Sequence, residues 1–384
     1  MGLRTPLYQW HIDNGGQMVD FAGWDMPIRY AGIIEEHNQV RTSGGLFDVS
    51  HMGRVKVTGR HARRFLERLC TRRISDMQDR QCRYSLVCNE QGGVKDDIIV
   101  YRFEEDEYLL VVNASNRQKL LPHFEAVRSG AICPAGAAAE DLAVKIEDQT
   151  EKTAMVAVQG PKVIELISKF SSEIPTLKKY RFAVKNLMIM KLIVSRTGYT
   201  GEDGVEVILP ANMVTMAMGL LLRDVNMKAE AALIKPAGLG ARDTLRMEAG
   251  MPLYGHELGE DINALACGVD FAITLDKDTQ DRGEPFVGQQ ALRATAAAGG
   301  PARKLVGIRC EGKRTPRQGM AVKIGDRDAG VVTSGCLGPT VGCPIAMAFV
   351  DRDHAKPGVA VQIDTTRGLI EGQIAALPFY KAAK

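Results

Sequence analysis

Residues 83–113 read RYSLVCNEQGGVKDDIIVYRFEEDEYLLVVN. Arg83 to Cys88 reads as a strand, and Gln91-Gly92-Gly93 marks the turn after it. Asp97 to Phe103 and Tyr108 to Asn113 are apolar, branched runs. The acids Glu104-Glu105-Asp106-Glu107 join them, which predicts a hairpin with a charged tip. Upstream, Arg54 to Thr58 alternates with period two and reads as a strand. His61 to Cys70 then places Phe65, Leu66 and Leu69 at helical spacing. Downstream, a helix starts near Ser115 or Asn116, either of which can cap it. Strand, helix, strand, strand, helix predicts a ferredoxin-like α+β unit.

Further along, Met155 to Val158 reads as a strand, and Gly160-Pro161 opens a helix running to Phe170. Leu192 to Val194 and Val205 to Leu209 are further strands, and Met213 to Leu222 reads as a buried helix. Composition shifts near Asp276, and Ala294 to Pro301 reads as a linker. Six short alternating runs follow, at Leu305–Cys310, Ala321–Ile324, Gly330–Thr333, Ile345–Val350, Val359–Ile363 and Leu369–Ile374. Their spacing predicts a small β barrel or sandwich.

The 384 residues are 45% hydrophobic and 25% charged, the composition of a globular chain of two or three domains. Forty-nine basic against forty-six acidic residues leave a net charge of +3, which gives no footing for a nucleic-acid coat or a polybasic membrane anchor. The longest uncharged stretch, Ala329 to Val350, is broken by Gly335, Gly338, Gly342, Pro339 and Pro344, so it reads as short strands and turns rather than a membrane span. The opening MGLRTPLYQWHIDNGG lacks a basic segment followed by an apolar one, so a secretory leader is not expected. Eight cysteines without C-x-x-C spacing read as free thiols. P-loop and dinucleotide fingerprints are absent, and no His/Cys pattern suggests a metal.

Four segments are able to carry chemistry. In GGVKDDIIV, Asp96 and Asp97 are neighbours on a strand and face opposite ways, one toward the side of Ile99 and the other toward solvent. The pair reads either as a solvated strand start or as one carboxylate aimed into a pocket. In TGYTGEDGVEV, three glycines spaced by three allow close backbone approach, and Glu206 sits between Val205 and Val207. A carboxylate there needs donors, from a structural partner or from a ligand with adjacent N–H groups. In GLGARDTLRMEAGMPLYG, Arg242 and Arg246 share a helical face beside Asp243 and Glu248, either as a salt-bridge network or reaching a ligand. Trp24, Phe21, Met26 and Met52 lie in DFAGWDMP and GLFDVSHMG, as core or as walls for a flat ring.

Together these segments resemble the T-protein, or aminomethyltransferase, family of the glycine cleavage system. The matching runs are TPLYQWH, MVDFAGWDMPIRY, GLFDVSHMG, GGVKDDIIVY, MVAVQGP, RTGYTGEDGVEV, GLGARDTLRMEAGMPLYG and PFYK, in family order across nearly the whole chain. The resemblance implies an α+β, three-domain, cloverleaf-like folate-binding fold, with a ferredoxin-like unit and a C-terminal small β barrel. The expected divisions are 1–53 plus 138–240, 54–137 plus 241–276, and 277–384. The resemblance also implies transfer of a methylene carbon from the aminomethyl-lipoyl H protein to tetrahydrofolate, with release of ammonia and without a metal. Asp97 is then the catalytic residue. Glu206, Arg242, Tyr84, Asn113, Tyr199, Trp24, Met52, Ile99, Tyr180 and Arg367 line the folate. The stretch Thr333-Ser334-Gly335-Cys336-Leu337-Gly338-Pro339 departs from the family at Gly338, where a serine is usual. A tetrahydrofolate-dependent demethylase of the same fold is the alternative. A non-catalytic folate module is disfavoured because RTGYTGEDG carries no cysteine, and a larger flavin dehydrogenase because no dinucleotide segment is present. The implied location is the cytoplasm, or the mitochondrial matrix for a processed eukaryotic chain.

Overall fold

The computed structural model describes residues 2–187, 189–223, 225–227, 229–365 and 368–382. The hairpin stands where the acid-tipped turn put it, as strands Val94–Glu104 and Glu107–Val112. Pairing runs to Glu104 opposite Glu107, so only Glu105 and Asp106 form the turn. The first of these strands starts at Val94, three residues earlier than its apolar run suggested, because Gln81–Cys88 pairs along nearly its whole length.

Five antiparallel strands make this sheet, in the order Gln81–Cys88, Val94–Glu104, Glu107–Val112, Gly53–Thr58 and Lys145–Asp148. Without its edge strand Gln81–Cys88, this is the ferredoxin-like order. Lys145–Asp148 falls in the span 138–240 assigned above to the first unit, yet it pairs with Gly53–Thr58 as an edge strand of this five-stranded sheet. Helices Ala62–Leu69 and Arg117–Arg128 cover one face, and Phe65, Leu66, Leu120 and Phe124 pack on Ile98, Val100 and Leu110.

A second sheet of six strands has Gly45–Asp48, Thr153–Gln159 and Gly204–Pro210 near its middle, with Met190–Ser195 beyond. Its outer face packs Val158, Val205 and Leu209 against helices Val163–Ser168 and Val214–Leu221. The latter helix is only half buried. Val214 and Met218 turn inward, whereas Met216 is 43% exposed. Its sequence, apolar but for Thr215 and Gly219, hid the exposed side.

The two sheets meet through their other faces. Tyr101, Leu109 and Val111 of the first touch Phe47, Met155, Ala157 and Ile208 of the second, along with Ala241 and Leu245 of helix Leu239–Glu248. Anything carried on these facing surfaces is brought to one interior seam.

Six strands after residue 302 form a closed barrel, in which Arg303–Cys310 pairs with both Cys343–Asp351 and Gly368–Ala375. The stretch 294–301 is not a plain linker. Helix Gln289–Ala297 runs through its alanines, the best intrinsic helix formers. No helix among the described residues is long and apolar enough to cross a membrane.

Candidate active site

Strand register explains which side chains reach the seam. Tyr84 lies opposite Ile99, and Asp97 lies two residues away on the same face as Ile99. That face packs toward the second sheet, where Met52 and Ile99 join the seam as half-buried apolar groups. Asp97 is half buried. Its Oδ2 accepts the Tyr84 hydroxyl at 3.0 Å, and its Oδ1 accepts Asn113 Nδ2 at 2.7 Å. Burial raises the Asp97 pKa above the usual carboxylate value, and these two hydrogen bonds partly offset it.

Asp96 does not face solvent as alternation alone suggested. Its side of the strand is shared with Ile98 and Val100 and lies under the start of helix Arg117–Arg128. It is fully buried, and its carboxylate accepts Asn113 N at 3.0 Å, Asn113 Nδ2 at 2.8 Å and the Asn116 side-chain amide. Burial raises its pKa, and the neighbouring Asp97 charge raises it further.

From the second sheet, Glu206 and Ile208 share a face, and Ile208 lies in the seam. Glu206 is buried, and its Oε2 accepts Thr197 Oγ1 at 2.5 Å. A hydroxyl chain continues from Thr197 through Ser195 at 2.6 Å to Tyr101 at 3.0 Å, tying the two sheets together beside that carboxylate. Burial raises the Glu206 pKa, opposed by Thr197 and by the charge of Arg242.

Arg242 and Arg246 part company. Arg246 is buried in a network with Asp243 at 2.8 Å, Glu257 at 2.9 Å and Ser334 at 2.9 Å. Arg242 lies over the Tyr199 ring, 4.9 Å from its centroid, and its buried Nη1 has no hydrogen-bond partner among the described residues. The Tyr199 hydroxyl is fixed by the Pro252 carbonyl. Buried donors are ordinarily satisfied, so this guanidinium nitrogen is a donor left without an acceptor. A Cβ at Gly238 would fall 2.4 Å from the Ile28 carbonyl carbon, so glycine lets strand Trp24–Arg29 abut the start of the helix bearing Arg242. Trp24 is buried on that strand.

Hydrogen bonds thus join Tyr84, Asp97 and Asn113, with Met52 and Ile99 in the same seam. A separate contact joins Arg242 to Tyr199. Tyr180 stands apart: its ring is 50% exposed, and its main chain bridges Cys82 and Arg196. Arg367 lies outside the described residues. Asp96 was weighed from the sequence only as one of a pair and placed on the solvent side, and Asn116, Thr197 and Tyr101 were not singled out as site residues. The Asp-Asp pair followed by two asparagines near a helix start was the available signal for the first two.

Residues 7–277 match the family described as GCVT N-terminal domain, and residues 303–381 match the glycine cleavage T-protein C-terminal barrel domain. A protein named Aminomethyltransferase from Rubrobacter xylanophilus is 45% identical, over 98% of this chain and 94% of its own length. One of the same name from Saccharopolyspora erythraea is 41% identical over 98% of both. The crystal structure of glycine cleavage system aminomethyltransferase T from Bartonella henselae aligns with a TM-score of 0.86 at 28% identity, covering 99% of this chain and 98% of that one.

Proposed function

This chain belongs to the aminomethyltransferase family of glycine cleavage T proteins, and from that premise we propose that it transfers a methylene carbon from aminomethylated lipoyl H protein to tetrahydrofolate. Ammonia leaves, the lipoyl thiol is released, and 5,10-methylenetetrahydrofolate forms. The observation that carries this reading is the Asp97 carboxylate, held by Tyr84 and Asn113 on the inter-sheet face. The unpartnered Arg242 Nη1 supports a fit to the folate, whose ring offers acceptors as well as donors. Tetrahydrofolate supplies the two nitrogens that take up the carbon.

Asp97 then provides a fixed negative charge near the reacting carbon and accepts a hydrogen bond from a ring nitrogen. At about 4 Å and an effective dielectric near 20, a unit charge pair is worth roughly 4 kcal/mol. Since roughly 1.4 kcal/mol is tenfold in rate, that charge accounts for up to about a thousandfold. Glu206 and Arg242 act in binding, Glu206 as an acceptor for ring N–H groups and Arg242 as a donor. Tyr199, Met52, Ile99 and Trp24 exclude water around the ring, with Tyr180 as a further ring neighbour, and Arg367 is assigned to the folate tail by family resemblance. The bacterial relatives support a cytoplasmic location. Mixing the protein with tetrahydrofolate and aminomethylated lipoyl H protein, and assaying ammonia and methylenetetrahydrofolate, tests the reading. Formation of both only when lipoylated H protein is present supports it. Turnover of a small methylated amine or sulfide in its place would favour a demethylase.

A further inference from the structure

Asp96 is a fully buried carboxylate reached by neutral amides: Asn113 N, Asn113 Nδ2 and Asn116 Nδ2. Stability is a poor reason to keep such a group, because well-packed apolar replacements for buried charges are often neutral or stabilising. Asn116 adds a second sign. It occupies the position before helix Arg117–Arg128, where an asparagine side chain ordinarily caps the first turn. Here it makes no capping bond and turns to Asp96 instead.

Asn113 completes the geometry. Its Nδ2 lies 2.8 Å from Asp96 Oδ1 and 2.7 Å from Asp97 Oδ1, so one amide nitrogen stands between two carboxylates. An amide flip would turn its oxygen toward the acceptor oxygens of both acids, so only one orientation is favourable. We propose that Asp96 is a positioning residue: it anchors Asn113 through main chain and side chain, and Asn113 in turn aims the Asp97 carboxylate at the substrate. This rests on the role given to Asp97 above.

A double-mutant cycle tests it, because a residue acting only through a second one has little left to lose once the second is gone. Turnover and the KM for tetrahydrofolate are measured for Asp96→Asn, Asp97→Asn and the double variant, each with lipoylated H protein. The proposal expects Asp96→Asn to lower kcat about tenfold with KM changed less than about twofold, and to cost less than about twofold more on top of Asp97→Asn. Equal losses in both backgrounds would assign Asp96 a general structural role and overturn the proposal. Unchanged kcat in Asp96→Asn would do the same. Near-native turnover of Asp97→Asn alone would instead remove the role of Asp97, and this proposal with it. Asn116→Ala removes one of the donors to Asp96 and carries the same cycle should Asp96→Asn fail to fold, with a smaller kcat loss that again vanishes in the Asp97→Asn background.

Discussion

Tyr84 donates its hydroxyl hydrogen to Asp97 Oδ2 at 3.0 Å, across neighbouring strands whose register puts both side chains on the seam. The bond stabilises the anion against the burial that raises its pKa. Removing the hydroxyl therefore raises the pKa further, and activity that needs the anion is lost at a higher pH on the acid side. A hydrogen bond to a charged group is worth about 1.5–3 kcal/mol in favourable cases, and one pKa unit is about 1.4 kcal/mol. In Tyr84→Phe, the acid limb of the kcat profile should move up by about one pH unit. An unmoved limb would show that this bond does not tune the reacting carboxylate.

Arg242 and Glu206 should act on affinity rather than on the chemical step. Arg242 has a buried nitrogen with no acceptor among the described residues and a guanidinium lying over Tyr199. Arg242→Lys keeps the charge but not the fork or the stacking, so it should bind tetrahydrofolate at least about tenfold more weakly. Glu206→Gln should weaken it by about fivefold or more, since its carboxylate already has one donor in Thr197 and its charge is what the ring N–H groups meet. Titration calorimetry reads both, and unchanged affinity in both variants would confine these residues to structure.

Glu248 should matter for stability instead. Its carboxylate meets His37 at 3.2 Å, Arg41 at 3.0 Å, and the Thr340 and Val341 amides at 2.7 and 3.1 Å. Those contacts tie helix Ile33–Thr42 to the barrel. Burial opposes ionisation, but His37, Thr340 and Arg41 outweigh it and hold the carboxyl down to about 2. A depressed pKa stabilises the fold above the unfolded value of about 4.3 and is lost as pH falls toward the folded one. Glu248→Ala should cost about 3–5 kcal/mol at pH 7 by denaturant unfolding, and the deficit should shrink as pH is lowered from about 4 toward 2. A deficit independent of pH would mean lost packing, not lost charge.

Sequence pattern carried the local elements because the period-two run Arg54 to Thr58 lies in strand Gly53–Thr58, and the apolar run Asp97 to Phe103 lies within strand Val94–Glu104. It carried less where burial depends on remote packing. Asp96 looked solvated because nothing in GGVKDDIIV shows that helix Arg117–Arg128 will cover it. Arg242 and Arg246 looked equivalent at four-residue spacing, yet only Arg246 finds Glu257 and Ser334 once the barrel docks. The alanines of 294–297 read as a linker because a short amphipathic helix shows little pattern when its exposed side is alanine. Asp97, Tyr84 and Asn113 were named through family resemblance. Their mutual hydrogen bonds belong to strand pairing that the sequence only implies.

The weight of the account falls on the Asp97 carboxylate. Purified Asp97→Asn, folded as judged by its unfolding temperature, should be assayed for methylenetetrahydrofolate formation from aminomethylated lipoyl H protein at saturating tetrahydrofolate. The account predicts a kcat reduced about a hundredfold to a thousandfold with tetrahydrofolate still bound. Turnover within about twofold of the native protein would contradict it.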